Sequence, residues 1–180
     1  MKRALLAVFG ASTILTAGCG SDSGGGQVSG QAIAWAEQVC QTVQAGGQRL
    51  SQLPQVDPNN PLQARDSLVG YLGVLLESLD AVANGITSAG TPPVANGQSA
   101  VTAAMSTLTK TRSAVGDART KLQQAPADPA SFQQVLTQVG QGMGSLGNTE
   151  GPTKDLRANP ELNEAFTQAP TCQKLDTAPK

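Results

Sequence analysis

Glu77 and Asp80 stand three residues apart, the spacing that sets two carboxylates side by side on a helix. Paired carboxylates can relay protons or hold a cation, but both tasks need burial and converging ligands. Here the pair flanks Leu75, Leu76 and Leu79 on a face that should be solvated, so it reads as surface charge. Lys110, Arg112, Arg119 and Lys121 form a basic cluster further along. They suit an anionic partner, or the chain's own Asp66, Glu77 and Asp80 across a helix pair. Cys19, Cys40 and Cys172 are the three cysteines.

Histidine is absent, and aromatic residues make up 3% of the 180 residues. The first absence removes the commonest metal ligand and general base at neutral pH. The second removes the stacking faces that a glycan platform or a single-strand nucleic-acid groove requires. No phosphate loop, nucleophile elbow or zinc-ligand spacing is present. The sequence therefore predicts no catalytic residue, no metal site and no cofactor: a protein that is not an enzyme. Trp35 and Tyr71, the single residues of their kinds, are the candidates for contact with a ligand or partner. Trp35 reads either as a hydrophobic lid on one end of the fold or as an aromatic anchor. Tyr71, between Gly70 and Gly73, marks either close helix packing or a cleft.

The N-terminus carries an address. Lys2 and Arg3 give a positive start, Ala4 through Leu15 an apolar run of signal-peptide length, and Thr16-Ala17-Gly18-Cys19 a small-residue cleavage site. The run is shorter than the roughly 20 residues that span a bilayer, and no transmembrane helix is predicted after it. A Cys directly after small residues at the end of such a run resembles the lipobox of bacterial prolipoproteins. Leu15-Thr16-Ala17-Gly18-Cys19 departs from that pattern in placing Thr16 where the family usually has Leu. The resemblance covers about the first twenty residues. It implies cleavage before Cys19 by signal peptidase II, a diacylglyceryl lipid on the sulfur of Cys19, often a further acyl chain such as palmitate on the new N-terminus, and stable anchoring, which takes two or more chains.

With Cys19 lipidated, Cys40 and Cys172 are left as a pair in an oxidising compartment. Residues 1–18 are then signal peptide and 19–30 a lipidated Cys with a flexible tether built on Gly20-Ser21-Asp22-Ser23-Gly24-Gly25-Gly26. Residues 31–180 form one domain. Without Lys2 and Arg3, ten basic side chains face thirteen acidic ones, a formal charge of −3. That balance gives no electrostatic case for nucleic acid or for attraction to anionic lipid.

The rest of the chain reads as helices. Asn60-Pro61, Thr91-Pro92, Asp128-Pro129 and Asn159-Pro160 each pair a capping side chain with a proline suited to the first helical position. Helical periodicity predicts helices over about 29–53, 61–88, 92–124 and 129–146, a loop over 148–157, and a short helix over 160–168 leading to Cys172. Leu68, Leu72, Leu75, Leu79, Val82 and Ile86 give the second helix an apolar seam. Short connections favour antiparallel neighbours. The expected fold is all-α: an antiparallel up-and-down four-helix bundle with a short C-terminal helical flap, pinned back by a Cys40–Cys172 disulfide.

These features predict a non-enzymatic, lipid-anchored protein on the outer face of a bacterial cell membrane. It would act as a protein-interaction or structural accessory module with an envelope protein as partner. As a resemblance, the lipobox, Gly/Ser tether, Ala-rich helices and cysteine pair are similar to the small secreted lipoproteins of high-GC Gram-positive bacteria. The alternative is a carrier holding a small apolar molecule between its helices, near the glycine-rich fourth one, in a pocket of about 300 Å³ or more.

Overall fold

A computed structural model describes residues 28–52, 54–57, 60–147 and 151–177. The expected signal peptide, Cys19 and nearly all of the tether lie outside the described residues, as does Leu53. Among the described residues there are seven helices and no strand: α1 (Gly30–Leu50), α2 (Pro61–Ala89), α3 (Gly97–Gln123), α4 (Pro129–Gly147), α5 (Gly151–Arg157), α6 (Pro160–Gln168) and α7 (Pro170–Thr177). The protein is all-α, as its periodicity predicts.

Helix starts follow the capping residues with one exception. Side-chain oxygens of Ser29, Asn60, Asp128 and Asn159 accept from the backbone N–H of Ala32, Gln63, Ser131 and Leu162 at 2.9–3.2 Å. Each satisfies one of the donors a helix leaves without an internal partner. Thr91 does not cap; its hydroxyl donates to Gln98 Oε1 at 2.8 Å, and α3 begins only at Gly97. The reason is Pro93, because a residue before proline is driven out of the helical region, so Pro92 cannot open a helix. The chain turns instead through Gly90 at φ 71° and Asn96 at φ 57°. Gly97 then passes under Pro92, whose carbonyl oxygen would lie 2.6 Å from any Cβ at that position.

One further correction concerns the C-terminal third. Gly151–Arg157, expected as loop, is helical, while the C-terminal flap is helical as expected and continues past α6 into α7 around Cys172. Pro152 suits a first turn, and Lys154 and Arg157 in the last turn complement the negative end of the helix dipole.

α2 and α3 form a long antiparallel hairpin, with Gly73 beside Arg119 and Asp80 beside Arg112. α1 runs antiparallel to α2, with Trp35 at Gly90, Thr42 at Gly85 and Gly46 at Ser78. α1 has 21 residues against 29 in α2, so it falls about 12 Å short of covering its neighbour. Beyond Leu50 the chain lies along the start of α2, where the Gln63 amide accepts from Asp57 N–H and donates to Gln55 O, both at 3.0 Å.

The buried residues form two clusters along this hairpin. The larger joins Trp35, Ala36, Val39 and Cys40 of α1, Val82 and Ile86 of α2, Ala104 and Leu108 of α3, and Leu156, Leu162, Phe166 and Cys172 from α5, α6 and α7. The smaller joins Ala64 and Leu72 of α2, Val115, Ala118 and Leu122 of α3, and Phe132 of α4. The place beside α1 and α3 is thus held by the three C-terminal helices, while α4 sits on the other half of the hairpin. α2 is long and apolar enough, by length and composition, to cross a membrane, although no such helix was expected from the sequence. In the fold it packs against α1 and α3, and only 17% of its most apolar stretch is buried.

Candidate functional site

The C-terminal helices are fixed to α1 by chemistry centred on Cys40. A disulfide joins Cys40 to Cys172 across 132 residues of sequence, and both residues are buried. One helical turn before Cys40, the Glu37 carboxylate receives the Thr171 backbone N–H at 2.8 Å, the Thr171 hydroxyl at 2.5 Å and the Gln41 amide at 3.0 Å. Glu37 thereby caps the first turn of α7 from a different helix. The Thr171 hydroxyl is the main influence holding its carboxyl below the usual 4.5, assisted by the Thr171 N–H and the Gln41 amide and opposed by burial.

Trp35 stands inside the larger core at 5% exposure. Its indole N–H donates to Gly90 O at 2.9 Å, tying the end of α2 to α1. Its ring meets Phe166 edge to face, centroids 6.3 Å apart. The Arg157 guanidinium lies 4.9 Å over the Phe166 ring and binds both carboxylate oxygens of Asp176, at 3.1 and 2.8 Å. Trp35 thus belongs to a chain of contacts linking α1, α2, α5, α6 and α7.

Tyr71 lies elsewhere, in a shallow groove of about 350 Å³ on the flank of α2 that α1 is too short to cover. Arg49, Pro54, Asp66 and Gly70 share that groove. The structure therefore does not bring Trp35 and Tyr71 together.

The charged residues separate in the same way. Asp80 receives the Arg112 Nε at 2.6 Å, and both side chains are nearly half exposed, so the pair contributes little to stability. Glu77 is exposed, and Asp66 pairs with its neighbour Arg65 at 2.9 Å. Lys110 and Lys121 are exposed. The Arg119 guanidinium lies against Gly73. Among the described residues, no three His, Cys, Asp or Glu side chains are grouped so as to hold a metal ion.

Sequence reasoning missed a cavity of about 240 Å³ where α1, α2, α3 and α5 meet. α1 supplies Val43, Gly46, Gly47 and Leu50; α2 supplies Leu75, Ser78, Leu79 and Val82. Leu108 of α3 and Pro152 and Thr153 of α5 complete it. It lies between the two cores rather than beside α4, and it is smaller than the pocket the carrier reading anticipates. The sequence signal for it is Gly46-Gly47, two adjacent glycines in a helix interior, where each is unfavourable.

No family model, curated protein or solved structure matches the chain.

Proposed function

We propose that this protein is an exported bacterial lipoprotein, anchored to the outer face of the cell membrane by lipid on Cys19. Its helical module works by holding a partner in the envelope, or as a structural accessory, rather than by catalysis. The observation that carries the reading is the buried Cys40–Cys172 disulfide. A disulfide at the centre of a core belongs to an oxidising compartment. This pairing also uses two of the three cysteines and leaves Cys19 as the thiol available for lipid. Lys2, Arg3, the apolar run to Leu15 and the small residues before Cys19 supply the export signal.

In this reading the four long helices form an up-and-down antiparallel series whose open side is closed by α5, α6 and α7. The antiparallel α1–α2 and α2–α3 pairs support it. The tether of about 11 residues gives a typical reach of about 18 Å, enough to carry the module clear of the headgroups.

Cells producing the protein would be fed labelled palmitate. The wild-type protein is expected to take up label in a form stable to denaturation, and a Cys19→Ala variant is expected to take up none. An unlabelled wild-type protein, or equal label in the variant, would contradict the proposal.

A further inference from the structure

We propose that the cavity between α1, α2, α3 and α5 is a binding site for a small uncharged apolar molecule: a segment of aliphatic chain or a single ring. Three observations carry this. None of the residues lining it is ionisable. Its deepest polar group, the Ser78 hydroxyl, donates to the Gly46 carbonyl at 3.4 Å, so the wall meets its own hydrogen-bonding need. A charged or strongly polar occupant would lose its water there without compensation.

The second observation is size. The cavity holds about 240 Å³, between an apolar cavity of about 150 Å³ that stays dry and takes benzene and the roughly 300 Å³ at which pockets for drug-sized ligands begin. Gly47 is exposed and Leu108 is 1% exposed, so the space runs from the surface at Gly47 down to the hairpin.

The third is the glycine at the entrance. Gly47 lines the cavity and is exposed at its mouth. A Cβ built there meets no atom within 4 Å, so there is room at this position for a side chain to occupy the mouth. What the missing side chain leaves is the open wall of the cavity. Binding at this site does not depend on the Cys19 anchor, so failure of either idea leaves the other standing.

The test uses the full chain with Cys19→Ser, oxidised at Cys40 and Cys172 and titrated with decanol while backbone amide shifts are followed. Saturable shifts confined to the neighbourhood of Gly46, Gly47, Ser78 and Thr153 are expected. Decanoate, whose charge finds no partner in the lining, is expected to bind more weakly. Gly47→Leu should fill the entrance and weaken decanol binding by at least about tenfold, the loss of a few buried methylenes. Gly47→Ala adds one methyl group, should melt no lower than the parent, and should weaken binding less. Shifts that never saturate, shifts scattered over all the helices, or equal affinity in the parent, Gly47→Ala and Gly47→Leu would overturn the proposal.

Discussion

Glu37 and Thr171 are 134 residues apart in the chain, yet one carboxylate receives both the backbone N–H and the hydroxyl of the other residue. The contact lies beside the Cys40–Cys172 bond and supplies the start of α7 with an acceptor that its own sequence lacks, since position 169 is Ala. A bond between sulfurs fixes the distance between two helices; this carboxylate fixes how α7 is turned against α1.

A carboxyl held below 4.5 in the fold binds a proton more readily when the chain is unfolded. Its contribution is therefore complete above pH 4.5 and fades as the pH falls through the lowered folded value. Glu37→Gln should melt below the wild type at neutral pH, and the gap should narrow in strong acid. Thermal melts across that range check this; a gap independent of pH would remove the charge from the explanation.

Closing a loop of 132 residues should stabilise the protein by about 4–5 kcal/mol in the chain-entropy model, with about 2–5 kcal/mol typical of measured losses. Cys40→Ser with Cys172→Ser should lose stability in that range. Reductant should lower the wild-type melting temperature and leave the double variant unchanged. Denaturant titrations with and without reductant read both effects.

Glycine substitutions should divide by position. At Gly97 a Cβ would lie 2.6 Å from the Pro92 carbonyl oxygen, a backbone atom that cannot step aside, so Gly97→Ala should cost about 2–3 kcal/mol. At Gly140, Gly142 and Gly144 in α4 a Cβ meets nothing within 4 Å, so Ala at each should add up to about 1 kcal/mol. Chemical denaturation of the four single variants measures the contrast.

Trp35 is the chain's only tryptophan, which makes it its own reporter. Buried at 5% exposure, it should emit at short wavelength and shift red on unfolding. Trp35→Phe keeps an aromatic ring but loses the bond to Gly90 O and part of the packing on Phe166, at a cost of about 2 kcal/mol.

What the sequence disclosed is what short-range physics decides. Asn60, Asp128 and Asn159 announce their helices because a cap acts within one turn, and the leucine seam of α2 is visible because its period is local. The start of α3 is hidden because Pro92 alone resembles a helix opening, and its effect is reversed by Pro93 behind it. α5 reads as loop because seven residues give periodicity too little length to show, although Pro152, Lys154 and Arg157 are terminal signals. The cavity was invisible in detail because α1, α2, α3 and α5 must be assembled before it exists, and Gly46-Gly47 was its one trace. Trp35 could be assigned either to a lid or to an anchor until Phe166 and Gly90 were brought against it, which only the tertiary fold does.

The central claim is that Cys19 carries lipid while Cys40 and Cys172 are bonded to each other. Intact mass measurement of the protein extracted from its own membranes without reductant tests both parts at once. The account predicts a chain beginning at Cys19, heavier by a diacylglyceryl group with or without a further acyl chain, and two hydrogens lighter than the reduced form. An unlipidated mass, or a chain that still retains residues 1–18, would contradict it.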